Sequence, residues 1–329
     1  MNASDAEVFV RVSRRAMACY FEVCLPAAYG EKAASAALEA LDVVDECEQA
    51  LSYFLPDSQI SRINRLAHQQ PVEVDEGLFQ LLQSAVKFSE ETDGAFDVTA
   101  APLWEVWGFA RRAGHIPDES QIEQARSLVG RELMELDAQH QTVRFLRPAM
   151  RINLGSLGKG YALDLCAGRL HALGINHFLL HAGQSSVLAQ GSPHGDESSA
   201  GLGSWSVGLA DPLPRNRRLG IIHLQNQALG TSSSRFQFFY YRGRRYGHII
   251  DPRTGRPAEG VLSATALAPS AATADALATA FFVMGPTAAL DYCRKHPGIG
   301  MVLVCDGEKP SQRKVITAGL APAQWQEAS

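Results

Sequence analysis

The sequence predicts an α+β fold of mixed, largely antiparallel sheets with packed helices, arranged as two interlocked lobes. Three observations carry this. Alternating or short apolar runs mark strands, which are richer in the second half. Apolar residues at three- and four-residue steps mark helices. No stretch in the middle has the composition of a linker, so the 329 residues read as one domain, 1–329, despite exceeding one small domain in length.

Val8 to Leu25 reads as extended, with Phe9, Phe21 and Val23 in short apolar runs. Lys32 to Phe54 reads as a long helix, because Leu38, Leu41, Val44 and Leu51 recur at helical steps. Asp75 is placed to cap a second helix with an apolar face of Leu78, Leu81, Leu82, Ala85 and Phe88, stopped at Asp93-Gly94. Ser120 and Glu123 suit a capping box for a third helix ending near Gly130. Thr142 to Arg147 alternates as a strand. Lys159 to Leu173 reads as a helix, and His177 to Ala182 and Ser186 to Gln190 as two strands. Gln190 to Ser204 is rich in Gly, Ser and Pro and reads as the longest loop. Phe236, Phe238 and Tyr240 lead into a turn at Arg242-Gly243-Arg244, with Tyr246 to Ile250 returning as the hairpin partner. Ala272 to Met284 is a helix and Ile299 to Cys305 a buried strand.

Composition excludes several functions. Lys plus Arg (30) against Asp plus Glu (35) leaves a net charge of −5, and the short runs Arg14-Arg15, Arg111-Arg112 and Arg215 to Arg218 are scattered. No nucleic-acid surface is expected from this. No stretch reaches the roughly 18–20 apolar residues of a membrane span. The first fifteen residues lack the apolar region of a secretory signal. The six cysteines form no CxxC pair and mostly sit in apolar runs, so they read as reduced, buried thiols. The expected compartment is the cytoplasm, or the periplasm if a leader has been removed.

Four segments could carry chemistry. Asn153-Leu-Gly-Ser-Leu-Gly-Lys-Gly160 puts closely spaced glycines before a helix, where backbone N–H groups can approach an anion. It lacks Walker and GxGxxG spacing, and alone a tight strand-to-helix turn is the better reading. Thr273-Ala-Asp275-Ala-Leu-Ala-Thr279 puts Asp275 and Thr279 on one helix face. They suit a hard cation such as Mg²⁺, which takes few protein carboxylates; Asp275 as a helix cap is at least as good a reading. Tyr246-Gly-His248-Ile-Ile-Asp251-Pro252 places His248 on a strand before a rigid Asp-Pro turn. A lone His is more often structural than catalytic. Gly94-Ala95-Phe96-Asp97-Val98-Thr99, followed by Trp104 and Trp107, could hold a flat ring, or be a capping Asp beside core aromatics.

The order of these segments is more specific than any one of them. From about Arg14 to about Gly319 the sequence resembles the ApbE family of FAD:protein FMN transferases. Leu51-Ser-Tyr-Phe-Leu-Pro-Asp-Ser58 with Ser61-Arg-Ile-Asn64, the Gly94–Thr99 turn, the Asn153–Gly160 loop, His248 to Gly255 and Thr273 to Thr279 are similar to that family's segments, in order. The resemblance implies an ApbE/T-fold-like architecture and Mg²⁺-dependent transfer of FMN from FAD to a Thr or Ser hydroxyl of an acceptor protein, with AMP leaving. It implies Asp275, Thr279 and Ser156 as ligands of Mg²⁺ and His248 as the catalytic base. It also implies that Met17, Phe54, Ala95, Phe96, Asp97, Asn153, Lys159 and Ile249 contact FAD. Two other readings stay open: a flavin binder that does not transfer, and an FAD pyrophosphatase that gives FMN and AMP. The chain departs from the family pattern where Asn153 replaces an acid, Phe54 a tyrosine and Ala18 a glycine. It departs again at His181-Ala-Gly183-Gln184-Ser185, in place of Asn-x-Gly-Gly-Asp, and at Ser232-Ser233-Ser234, in place of Ser-Gly-Asp.

Overall fold

The chain opens with two antiparallel strands, Phe9–Ala16 and Cys19–Pro26, joined by a two-residue turn at Met17 and Ala18. Both turn residues have positive φ, 49° and 60°, as a hairpin turn of this length requires. The single extended segment expected at Val8 to Leu25 is therefore a hairpin. The structure is a computed structural model that describes residues 9–195, 203–213, 217–234, 237–307 and 312–328. Val8, Arg215, Phe236 and part of the Gln190 to Ser204 loop lie outside the described residues.

The hairpin starts an eight-stranded sheet. Its order continues through Phe178–Ala182, Ser186–Gln190, Gln227–Ser233, Val261–Ala268, Gly300–Asp306 and Arg313–Ala318. Every pairing in it is antiparallel. Seven α-helices occur among the described residues: α1 (Lys32–Leu51), α2 (Gln59–Leu66), α3 (Glu76–Glu91), α4 (Ala101–Val106), α5 (Glu119–Arg126), α6 (Gly158–Ala172) and α7 (Ala271–Lys295). Helices α1, α6 and α7 cover one face of the sheet, with Leu41, Val44, Leu163, Leu170, Leu277 and Phe281 fully buried there. A second sheet, made of Trp205–Ala210, Arg218–Leu224 and Trp325–Glu327, covers the other face through Trp205, Ile222 and Leu224. The strands Val261–Ala268 and Gly300–Asp306 are thus buried on both sides. This removes the period-two alternation that marks a strand with one wet face.

Several boundaries differ from the sequence reading for physical reasons. Helix α1 stops at Leu51, and the following turn is tied by Ser58 Oγ, which donates to the Ser52 carbonyl at 2.5 Å and then caps α2. The capping box of α5 is Asp118 with Gln121, two residues before the expected pair, since Asp118 already accepts from the Gln121 N–H. Helix α7 runs past Met284 to Lys295 across a kink at Gly285 (φ 73°) and Pro286. It has the length and mean hydropathy (1.3) of a membrane span, which the sequence reading did not anticipate, but it lies on the large sheet as a core helix.

Helix α7 starts where three backbones converge. Asp164 of α6 accepts from the Ala271 and Ala272 N–H groups at 2.7 and 2.9 Å, satisfying two orphan donors of the α7 N-terminus. Gly160 and Gly230 let α6 and the strand Gln227–Ser233 approach this turn closely. A Cβ at Gly160 would lie 2.2 Å from the Ala271 carbonyl oxygen, and one at Gly230 would lie 2.5 Å from the Ala274 carbonyl. Gly230→Ala is therefore expected to force α7 off the sheet and cost roughly 1–3 kcal/mol. The check is a urea-unfolding midpoint, which should fall; an unchanged midpoint contradicts this packing.

Candidate active site

This junction forms one end of a cleft of about 830 Å³. Asp275 lies in the second turn of α7, and Ser270 caps the helix instead, so capping is not what Asp275 does. Its carboxylate is buried. Oδ2 accepts from the Gly160 N–H at 2.8 Å, and Ser186 Oγ lies 2.8 Å from both carboxylate oxygens. Burial pushes its pKa up to about 6, with the Lys159 ammonium and these hydrogen bonds opposing the shift. Lys159 itself donates to Ser185 Oγ at 2.6 Å. One turn along α7, Thr279 Oγ1 lies 3.0 Å from Ser232 Oγ. Ser156 lines the same end from the loop before α6. This end is thus rich in hydroxyls around one buried acid and one ammonium.

The other end is aromatic and apolar. Phe54, 67% exposed, stands at the edge beside Trp104, with ring centroids 6.3 Å apart. Ala95 and Ile249 line the wall between. Phe96 lines it too but is 1% exposed, so it offers the cleft only an edge and serves mainly as core beside Phe88. Asp97 is the capping Asp of a short turn. It accepts from the Thr99 N–H and Oγ1 at 2.8 and 2.6 Å, and burial raises its pKa. Asn153 accepts from the Gly155 N–H at 2.9 Å, bracing the loop that carries Ser156 and Lys159. Met17 is the expected contact that does not line the cleft. Its N–H donates to Glu48 Oε1 at 2.9 Å and its methyl lies beside Gly158, while its neighbours Ala18 and Cys19 reach the cleft.

His248 was expected on a strand. It sits instead in a bend between the strand Arg244–Gly247 and the short pairing at Ile250–Asp251. Its N–H donates to the Gln237 carbonyl at 3.1 Å, and its ring Nδ1 lies 3.0 Å from the same oxygen. A carbonyl only accepts, so Nδ1 carries the proton and Nε2 keeps a lone pair. Burial lowers the ring's pKa from 6.5; the Gln237 carbonyl raises it, and Lys159 adds to the lowering. The Asp251-Pro252 turn is built as its sequence suggests, with Asp251 accepting from the Arg253 N–H at 3.0 Å.

Serines at 185, 186 and 232 complete the hydroxyl-rich end. Ser186 was not singled out from the sequence. Its signal is a serine at an inward position of an otherwise apolar strand, opposite Gly230 in the sheet register.

The ApbE family profile matches residues 17–303. This chain belongs to the ApbE family. It is 31% identical to the FAD:protein FMN transferase of Salmonella typhimurium over 275 residues, 80% of this chain and 75% of that protein. It is 31% identical to the Treponema pallidum protein of the same name over 327 residues, 94% of this chain and 88% of the other. Among solved structures it is similar to the ApbE protein of Thermotoga maritima (TM-score 0.81, 29% identity, 91% and 94% of the two chains). It is also similar to the flavin transferase ApbE of Vibrio cholerae (TM-score 0.82, 25% identity, 95% and 97%).

One feature of this ApbE site is strained. Ala18 holds φ 60° in the turn that reaches the cleft, a region costly to residues with a Cβ. Ala18→Gly relieves that cost but adds unfolded-chain entropy, leaving a net gain of about 0.5–1 kcal/mol. Thermal denaturation should show a higher midpoint; a lower one contradicts the assignment of strain.

Proposed function

We propose that the chain transfers FMN from FAD to a Thr or Ser hydroxyl of an acceptor flavoprotein, with Mg²⁺ on the pyrophosphate and AMP as leaving group. It is a flavin transferase of the ApbE family; the metal, the hydroxyl acceptor and the leaving group are our reading of the site. The observation that carries it is buried Asp275 set near the Lys159 ammonium and a hydroxyl cluster, at the opposite end of one cleft from Phe54 and Trp104. A dinucleotide has that division: a flat ring at one end and a pyrophosphate beyond it. The cleft also has the size of an ordinary cofactor site, within about 300–1,000 Å³.

The donor chemistry fits Mg²⁺. Asp275, Thr279 and Ser156 offer hard oxygens, and a site with one carboxylate suits a cation that takes its remaining ligands from substrate phosphates and water. No group of three His, Cys, Asp or Glu side chains suited to a metal occurs among the described residues, so a single carboxylate must serve. When bound, the ion offsets pyrophosphate charge as a Lewis acid. The protein's own groups do the rest. Lys159 faces the phosphates. Phe54, Ala95, Phe96 and Ile249 bound the ring's slot, with Asp97 and Asn153 shaping its walls; Met17 only carries the turn whose Ala18 and Cys19 reach it. The attacking hydroxyl gives its proton to Nε2 of His248 as its oxygen bonds to the FMN-side phosphorus. The bond from that phosphorus to the bridging oxygen breaks, and AMP departs with the electron pair.

The test of the reading is the fate of the flavin when protein, FAD, Mg²⁺ and a candidate acceptor flavoprotein are incubated. Covalent FMN on the acceptor supports it. Free FMN and AMP indicate a pyrophosphatase, and intact bound FAD indicates a binder; either replaces it.

Two variants probe the roles. Asp275→Asn keeps shape and hydrogen-bond acceptance but removes the buried charge. It is expected to retain or raise the thermal midpoint and to lose Mg²⁺-dependent turnover. Normal turnover at limiting Mg²⁺ counts against the metal role.

His248→Ala should bind FAD within a few-fold of the parent and transfer at least about a hundredfold more slowly. The parent carries a pH signature of this histidine. With the folded pKa held below 6.5, the unfolded chain binds more protons between the two values. The His248 contribution to stability is therefore flat above pH 6.5 and falls as pH drops from there toward the folded pKa. The acid limb of transfer lies below pH 6.5 for the same reason. Loss of FAD affinity and stability together, with the folded fraction transferring normally, identifies a merely structural histidine.

A further inference from the structure

We propose that the outward face of the hairpin Phe238–Gly247 is the dock for the acceptor protein, and that it takes an acidic, extended segment of that protein. This rests on the transfer reading above for its purpose, though not for its geometry. Strands Phe238–Tyr241 and Arg244–Gly247 pair with Phe239 opposite Tyr246 and Tyr240 opposite Arg245. Side chains alternate between the two faces. The inward face is core. Phe239 and Tyr246 stack at 5.3 Å, and Tyr246 stacks on Trp107 at 5.7 Å. The outward face has no such cover among the described residues. Tyr240 is 67% exposed and Phe238 40%, with ring centroids 5.5 Å apart. The Arg245 guanidinium lies 4.1 Å from the Phe238 ring centroid; one of its NH2 groups donates to the Ser234 carbonyl at 2.5 Å, and its Nε is buried with no hydrogen-bond partner among the described residues.

Charge selects the occupant. The segment Phe238–Gly247 holds Arg242, Arg244 and Arg245 and no acid, in a chain of net charge −5. Only Arg244 has a carboxylate partner among the described residues, Glu259. Exposed tyrosine, phenylalanine and arginine side by side are what interface centres are enriched in, and Arg242 and Arg245, with no carboxylate partner among the described residues, favour a partner that carries carboxylates.

Position selects the purpose. Gln237 and His248 flank the hairpin at its base, are joined by the His248 N–H to Gln237 carbonyl bond, and both line the cleft. A chain lying along the hairpin therefore ends at the proposed base. Four strand residues span about 13 Å, so the acids are expected about four residues from the hydroxyl that attacks.

The probe is a synthetic fluorescent peptide with one Thr and glutamates about four residues to either side, compared with its lysine counterpart by anisotropy on the FAD-loaded protein. The glutamate peptide is expected to bind at least about tenfold more tightly at low salt, with the gap narrowing as salt rises. Arg242→Glu, at the exposed tip, should reverse the preference. Tyr240→Ala should weaken the glutamate peptide at least about fivefold. Neither variant should change FAD affinity or the thermal midpoint. Equal binding of the two peptides, or unchanged binding in both variants, overturns the dock. So does tighter binding of an oligothymidylate, or a dimer of this chain that Arg242→Glu dissolves. If the glutamate peptide binds as described but no FMN reaches its Thr, the dock stands and the transfer reading fails.

Discussion

A carboxylate held almost out of water is the constraint around which this protein is organised. Asp275 is 6% exposed, and its nearest donors are one backbone N–H and one serine hydroxyl. Such a group favours protonation, as its raised pKa shows, unless positive charge is brought to it. Lys159 supplies part of that charge from the next helix. The cleft leaves room for more, and the hydroxyls of Ser156, Thr279 and Ser232 surround the place where it would enter. A buried acid of this kind contributes little to stability for its own sake.

The fold keeps Asp275 in place through backbone contact. Helix α7 starts against Gly160 and Gly230, and Asp164 holds its first N–H groups. These are short, stiff contacts between α6, α7 and the central strands, so the acid moves only if the whole junction moves. The aromatic end is built differently. Phe54 lies on an exposed turn after α1, and Ala18 sits in a strained hairpin. The rigid end suits charge stabilisation, which depends on preorganised groups. The looser end suits entry of a large planar ring.

Much of this was legible in the sequence, for reasons that differ by segment. The Asp75 cap and its helix could be read because capping and helical periodicity are local properties, and Asp75 does accept from the Leu78 N–H. The Asp251-Pro turn was legible on the same grounds. Membership of the ApbE family was legible because five motifs occur in one order, although four of them had a plainer reading when taken alone. The two central strands Gln227–Ser233 and Val261–Ala268 were not legible. The first is small and polar, and the second is buried on both faces, which erases alternation. Ser186 escaped notice because its partner Asp275 lies 89 residues away. The bend at His248 escaped because the bond to Gln237 that shapes it joins two strands' ends across a turn.

The central claim is that the Asp275 end of the cleft is completed by a cation together with the pyrophosphate of FAD. Calorimetric titration of FAD into the protein at neutral pH, with and without Mg²⁺, tests it most directly. If each ligand completes the site of the other, Mg²⁺ tightens FAD binding by at least about fivefold, and FAD tightens Mg²⁺ binding by the same factor. An FAD affinity that is the same with Mg²⁺ and with a chelator contradicts the account.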